Sequence, residues 1–321
     1  MTKERAEDKW ITRWRNEARA LLLLVFVLLF GTVISVESTE YVKEGLKLAI
    51  ERVIPSSFPF MIISDMYVCY GRPENIRLLS WTLPKLVGIT PSGLPAIVCG
   101  NIGGFPIGAK IASDLYMSGS ISKEEAERLL PMSNNPSCAF VMGGVGLGIY
   151  QDLRVGLTLL LCIYSATVIA GIVTRNRYTH FDNQQYIAGQ KYSFIESVKG
   201  AGAASISIIS FVTLFSVGLG IIKKRVKYAP ISVIVFAFSE VTNAVNYFSK
   251  FAQNNPLLSV SLSAFSLGFG GMSVGMQSTV FTSKCGLNMR KYYSFKLLEG
   301  IIAAALCAIF FTIKNNCGAI G

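Results

Sequence analysis

Two glycine-rich segments contain the residues best suited to binding a small solute. Residues 102–110 read IGGFPIGAK and residues 269–277 read FGGMSVGMQ, and both lie within strongly apolar stretches. Glycine permits backbone conformations closed to other residues and proline removes a helical hydrogen bond, so we predict that both segments interrupt helices. Interrupted helices expose N–H groups with partial positive charge, which favours anions.

Polar side chains in and after these segments are candidate solute ligands. Lys110 would add a full charge, although it could instead extend to lipid headgroups from the segment's end. Asn134 and Asn135 precede another apolar segment, where they either cap a helix or face a solute. The predicted substrate-binding residues are Gly104, Pro106, Lys110, Asn134, Asn135, Gly271, Ser273 and Gln277.

Glu240 and Asn243 are candidates for ion coupling. With Tyr247 they follow i, i+3, i+7 spacing, which places them on one helical face in a mostly apolar run. An acid within a membrane segment is a candidate proton or cation site. The alternative is that Glu240 lies near a helix end and pairs with a neighbouring Lys or Arg. For Asp65 we favour that alternative, because Arg72 is close in sequence.

The sequence lacks the patterns of enzymes and metal sites. Its seven cysteines include no Cys-x-x-Cys pair, and its only histidine is His180. No nucleophile–base arrangement, P-loop or dinucleotide fingerprint is present. We therefore expect no enzymatic activity, no cofactor and no metal.

Composition predicts an all-α, polytopic transmembrane protein. Hydrophobic residues make up 51% of the chain and charged residues 15%, and mean hydropathy is +0.48. A membrane-spanning helix needs about 20 apolar residues. Uninterrupted apolar stretches cover residues 20–36, 155–174, 200–222 and 300–313, and stretches interrupted by glycine or proline cover residues 86–109, 129–151 and 252–283.

The net charge of +11 does not indicate a nucleic-acid partner. Basic residues adjoin apolar segments, as in residues 223–227 (KKRVK), which is typical of a membrane face in contact with anionic lipid. The expected partners are membrane lipid and a small anionic solute, and homo-oligomerisation is left open.

Internal similarity predicts two structural repeats with broken or re-entrant helices. A constant offset of 167 pairs the glycines of the two glycine-rich segments. Residues 123–130 and 291–298 form a second matching block, and Asp65 and Glu240 a third. The predicted organisation is a basic cytoplasmic segment (1–19), a first repeat with an anchor helix (20–175), a polar linker (176–192) and a second repeat (193–321). Charge alone leaves the repeats' relative orientation open.

The block at residues 123–130 predicts a capped amphipathic helix. Ser122 and Glu125 have the spacing of a capping box. Glu124, Glu125 and Glu127 are expected to form a solvated face.

Several motifs together resemble sporulation integral membrane proteins of the YlbJ type, which carry the nucleoside-recognition "Gate" domain. The likeness covers about residues 58–311. The motifs are GFPIGAK (104–110), KEEAERLL (123–130) followed by Ser133, Asn134 and Asn135, GGVGLG (143–148), FIESV (194–198) and GMSVGMQ (271–277).

This resemblance implies an endospore-forming bacterium and a distant relation to concentrative nucleoside transporters, which contain re-entrant hairpins in inverted repeats. It also implies a membrane around the developing spore, the outer forespore membrane, and a role in supplying dipicolinate. A dianion of this kind suits exposed helix N-termini together with Lys110.

We therefore predict a permease for a small anionic solute, with a site between the repeats. One alternative is a non-transporting scaffold needed for spore-envelope (cortex) formation, in which the glycines only allow close helix packing. Another is a nucleoside or cation carrier on the same fold.

Overall fold

The computed structural model describes residues 36–70, 82, 84–175, 193–226 and 229–318, which form helices and turns without any β-strand. The first half contains α1 (Val36–Leu48), α2 (Ile54–Tyr70), α3 (Leu94–Gly103), α4 (Ile107–Met117), α5 (Lys123–Ser133) and α6 (Leu153–Val173). The second half contains α7 (Phe194–Arg225), α8 (Ala229–Ser239), α9 (Val241–Phe248), α10 (Pro256–Phe269), α11 (Gly271–Thr282) and α12 (Met289–Gly318).

Short segments of other helical geometry connect these α-helices. A π-helical turn, Ala49–Val53, joins α1 to α2, and a π-helix, Phe140–Tyr150, precedes α6. Turns of 3-10 helix occupy Pro91–Gly93 and Ser249–Phe251. The predicted all-α fold class is confirmed.

Four described helical stretches are long and apolar enough to cross a membrane: Leu153–Val173, Phe194–Arg225, Pro256–Thr282 and Met289–Ile313. They confirm the predicted helices over residues 155–174 and 200–222 and include the stretch over 300–313. Except for Val36, the predicted span over residues 20–36 lies outside the described residues, as do the segment 1–19 and the linker 176–192.

The predicted helix interruptions are also confirmed. Helix α3 ends before Gly104, whose φ of 78° and ψ of −170° are accessible mainly to glycine. Helix α10 ends before Gly270, which has a φ of 82°. In the stretch over residues 129–151, α5 ends at Ser133 and the π-helix begins at Phe140.

The two halves differ after their matching amphipathic blocks. In the first half α5 ends at Ser133, and Asn134, Asn135 and Pro136 follow. In the second half the matching block over residues 291–298 and the apolar stretch over residues 300–313 lie in one continuous helix, α12, from Met289 to Gly318. Residues 299–313 contain no proline and only one glycine, so nothing local stops the helix.

Ser122 caps helix α5 as predicted, but the acidic face of this helix is not fully solvated. Ser122 Oγ accepts a hydrogen bond from Glu125 N at 3.2 Å. Glu124 is exposed, whereas Glu125 and Glu127 are buried, so the expected solvated face was wrong for these two residues. Burial raises the pKa of the Glu125 carboxyl, and hydrogen bonds from Thr90 N and Oγ1 oppose that rise. Glu127 pairs with Lys291 at 2.7 Å, which ties α5 to α12.

Candidate functional site

The helix interruptions of the first half pack against one another. A Cβ added at Gly104 would lie 2.8 Å from Ser137 N, so the interruption after α3 touches the one after α5 without room for a side chain. Added Cβ atoms at Gly100 and Gly108 would lie 2.3 and 2.0 Å from Ser133 O. Glycine is therefore required at these three positions for the helices to approach this closely.

The interruptions of the second half join the same cluster. A Cβ at Gly270 would lie 3.4 Å from the Phe105 ring, and one at Gly271 would lie 2.9 Å from Ser239 O and 3.3 Å from Glu240 Cα. Gly271 also has a φ of 76°. The break between α10 and α11 therefore lies between the break after α3 and the break that separates α8 from α9.

An inner cavity of about 30 Å³ lies where these four interruptions meet. Its lining includes Gly104 and Phe105 from the first break, Ser137 from the second, Glu240 from the third and Gln277 from α11. This volume has room for water but not for an organic solute. The inner cavity is therefore too small in this conformation to hold the predicted solute.

Glu240 is the only acidic residue that lines the inner cavity among the described residues, and it is 1% exposed. Its carboxylate accepts hydrogen bonds from Thr242 N at 3.0 Å, Asn243 N at 2.7 Å and Asn243 Nδ2 at 2.8 Å. The backbone of Glu240 is extended and its side chain caps α9. It lies at a helix end, as one alternative predicted, but it forms no ion pair with a Lys or Arg of the described chain.

The predicted ligands Asn134 and Asn135 are fully buried, and their side-chain amides form hydrogen bonds within the protein. Asn134 Nδ2 donates to Ser278 Oγ at 2.8 Å and to the Tyr292 hydroxyl at 3.0 Å. Asn135 Nδ2 donates to Thr167 Oγ1 at 3.1 Å. Neither asparagine lines the inner cavity, and both join the break after α5 to neighbouring helices.

Lys110 also lies away from the inner cavity lining. Its Nζ is 3.3 Å from Asp114 Oδ2, one helical turn further along α4. Pro106 is buried and directly precedes α4. Ser273 is buried on α11, where its Oγ lies 3.3 Å from Gln277 Nε2. Among the candidate ligands, Gly104 and Gln277 thus line the cavity, and Gly271 packs against its wall.

A buried ion pair that was not predicted from the sequence lies beside Asn135. Lys296 and Glu299 are both 0% exposed, and Lys296 Nζ lies 2.8 Å from Glu299 Oε2. Lys296 Nζ also donates to Asn135 Oδ1 at 2.6 Å, and Thr167 Oγ1 donates to Glu299 Oε1 at 2.7 Å. The signal available in the sequence was an i, i+3 pair of opposite charges next to a long apolar run.

A second, larger cavity of about 590 Å³ lies next to Glu240. We call it the basic cavity. Helices α1, α7, α8 and α9, with the turns after α1 and α9, contribute its lining. The polar and aromatic residues that define it are Tyr41, Glu44, Lys47, Glu51, Arg52, Ser216, Lys223, Lys224, Phe236, Asn243, Asn246, Tyr247 and Lys250. The lysines of residues 223–227 were predicted to lie at a lipid face, and no cavity was predicted there.

Comparison with known proteins confirms the resemblance seen in the sequence. The chain is 27% identical over an alignment of 344 residues to the sporulation integral membrane protein YlbJ of Bacillus subtilis (strain 168). The alignment covers 91% of this chain and 82% of that protein. Together with the apolar helices, this similarity supports the predicted integral membrane protein of the YlbJ type. No family model matches the chain, and no solved structure matches it.

Proposed function

From this similarity and the cluster of helix interruptions, we propose that the chain is a permease for a small anionic solute. Its proposed role is the supply of dipicolinate to the developing spore across the outer forespore membrane. The observation that carries the proposal is the inner cavity, where four helix interruptions surround a buried glutamate. Irregular backbone at membrane depth persists only where it is enclosed by protein or lines a water-filled cavity.

The small inner cavity suits a conformation of an alternating-access carrier in which no solute is bound. Its volume of about 30 Å³ leaves no space for an aromatic dicarboxylate. Transport therefore requires the interruptions to separate, and the pairs Gly104–Ser137 and Gly271–Ser239 are the close contacts that would open. Helices α4, α9 and α11 begin at these interruptions. Their first N–H groups would favour the negative charge of the solute.

Glu240 is the proposed site of the coupling ion. Burying an unpaired charge is unfavourable, so the uptake of a proton or cation at Glu240 would lower the free energy of the carrier without bound solute. Glu240 also occupies the N-terminus of α9, a place that favours anions. Neutralising Glu240 would let the solute's own negative charge approach that helix end.

An uptake assay in liposomes tests this proposal. Reconstituted protein should accumulate labelled dipicolinate in preference to uridine. Gln277→Ala should lower uptake about tenfold, because one hydrogen bond of roughly 1.4 kcal/mol to the solute would be lost. Thr279→Ala is the matched control, since Thr279 lies on the exposed side of the same helix.

The results distinguish the alternatives. Unchanged uptake by folded Gln277→Ala protein would remove that residue from the site, and a preference for uridine would favour a nucleoside carrier. The absence of uptake for every solute would favour a scaffold for cortex formation. The small volume of the inner cavity is the observation that supports this second candidate.

A further inference from the structure

We propose that the basic cavity is the first binding site for a planar, aromatic carboxylate on its way to the inner cavity. This inference rests on the permease function and deepens it by naming the surface that selects the solute. The volume of about 590 Å³ falls in the range of roughly 300–1,000 Å³ typical of small-molecule sites.

The charge of the lining favours an anion. Five basic side chains face two acidic ones, Glu44 and Glu51, which leaves three positive charges in excess. Within the described part of the chain, Lys47, Lys223 and Lys250 form no ion pair and are exposed. Positive charges that converge on a concave surface focus their field into it and raise the local concentration of anions.

Aromatic rings in the same cavity favour a flat solute. Tyr247 is half-buried and its ring stacks on the buried Phe236, with ring centroids 4.3 Å apart and an interplanar angle of 16°, so Phe236 holds the Tyr247 ring in place at the cavity wall. A Cβ added at Gly220 would lie 2.4 Å from the Tyr41 ring, so that ring packs directly on the backbone of α7. Tyrosine combines an apolar face for stacking with a hydroxyl donor. An aliphatic anion or a lipid phosphate would use the lysines but not these rings.

One side chain connects the basic cavity to the inner cavity. Asn243 lines the basic cavity, and its Nδ2 donates to Ser216 Oγ at 2.8 Å and to Glu240 Oε2 at 2.8 Å. Glu240 in turn lines the inner cavity. A solute bound in the basic cavity would therefore lie one side chain away from the proposed coupling acid.

Equilibrium binding to the purified full-length chain in detergent tests the inference without requiring transport. The probes are pyridine-2,6-dicarboxylate, the aliphatic dicarboxylate glutarate, and nanodiscs that contain or lack phosphatidylglycerol. The triple variant Lys47→Gln/Lys223→Gln/Lys250→Gln should weaken binding of the pyridine probe at least about tenfold. Its matched control, Lys123→Gln/Lys199→Gln/Lys284→Gln, removes the same charge from exposed lysines outside the cavity lining and should change affinity less than about twofold.

A second variant tests the aromatic wall. Tyr247→Leu should reduce the preference for the pyridine probe over glutarate, because stacking is lost while the charges remain. If both lysine triples weakened binding of the pyridine probe equally, the effect would come from net charge alone, and the inference would be overturned. The inference would also be overturned if the pyridine probe failed to bind while the protein retained phosphatidylglycerol and only the cavity triple abolished that retention. This result would assign the cavity to lipid headgroups.

The binding measurement and the uptake assay can fail independently, so each proposal can be rejected without the other. Binding that depends on the cavity lysines without any uptake would retain the site and reject transport. Uptake that is unchanged in the cavity triple would retain the permease and reject this binding site.

Discussion

Glu299 and Glu240 are both buried, with exposed fractions of 0% and 1%, yet their partners differ. Glu299 lies 2.8 Å from the ammonium of Lys296 and accepts a hydroxyl hydrogen bond from Thr167. Among the described residues, Glu240 receives hydrogen bonds from Thr242 and Asn243 only. A buried carboxylate beside a lysine must stay charged to keep its partner satisfied, whereas a carboxylate held by N–H groups can change its charge without leaving another charge unpaired.

Glu299 and Glu240 also lie in different parts of the fold. The Lys296–Glu299 pair contacts Asn135 and thereby fills the region beside the break after α5. Glu240 instead lines the inner cavity and contacts Asn243 at the edge of the basic cavity. We infer that the first acid holds the helices together and that the second responds to ions and solute.

The largest expected effect comes from removing the lysine of the structural pair. Lys296→Met should lower the free energy of unfolding by about 3–5 kcal/mol, because it leaves Glu299 buried without its counter-charge. Thermal and denaturant unfolding in detergent would measure the loss. The double variant Lys296→Met/Glu299→Leu should recover most of it, and a double variant as unstable as the single one would contradict a structural role for the pair.

Local composition predicted three of the four interruptions, because their causes act within a few residues. The break between α8 and α9 was left open, since Glu240 was placed either on a helical face or near a helix end. Gly104 and Gly270 adopt backbone conformations that suit glycine, and Pro136 follows the end of α5. The resulting breaks lie where residues 102–110 and 269–277 indicated. The acid that follows α8 was also singled out from its apolar surroundings alone.

Long-range packing decided what the sequence could not predict. Lys291 and Lys296 look alike in an amphipathic block, yet Lys291 is exposed and Lys296 is fully buried. The difference arises from the helices that pack around α12. The basic cavity combines side chains from α1, α7 and α9, which lie far apart in the sequence. Their convergence depends on tertiary structure, so no local pattern indicated it.

A smaller effect is expected where the second-half breaks meet. Gly271→Ala should destabilise the protein by about 2 kcal/mol, because its φ of 76° is unfavourable for alanine and its Cβ would lie 2.9 Å from Ser239 O. Gly202→Ala is the matched control within α7, where no atom lies within 4 Å of the added Cβ. It should stabilise the helix by up to about 1 kcal/mol. Melting shifts of the same sign in both variants would contradict the close packing against Glu240.

The smallest effect on stability, and the sharpest on function, is expected at Glu240 itself. Glu240→Gln keeps one oxygen to accept the N–H groups at the start of α9, so unfolding should change by only about 1 kcal/mol. Uptake driven by a proton or cation gradient should lose its response to that gradient, because glutamine cannot take up the coupling ion. Glu124→Gln, at an exposed acid on α5, is the matched control.

Glu299→Gln should give the opposite result, with a clear loss of stability and a preserved gradient response in the protein that remains folded. If uptake by Glu240→Gln still responded to the gradient, Glu240 would not be the coupling acid. The lack of a basic partner among the described residues would then not identify that acid in this fold.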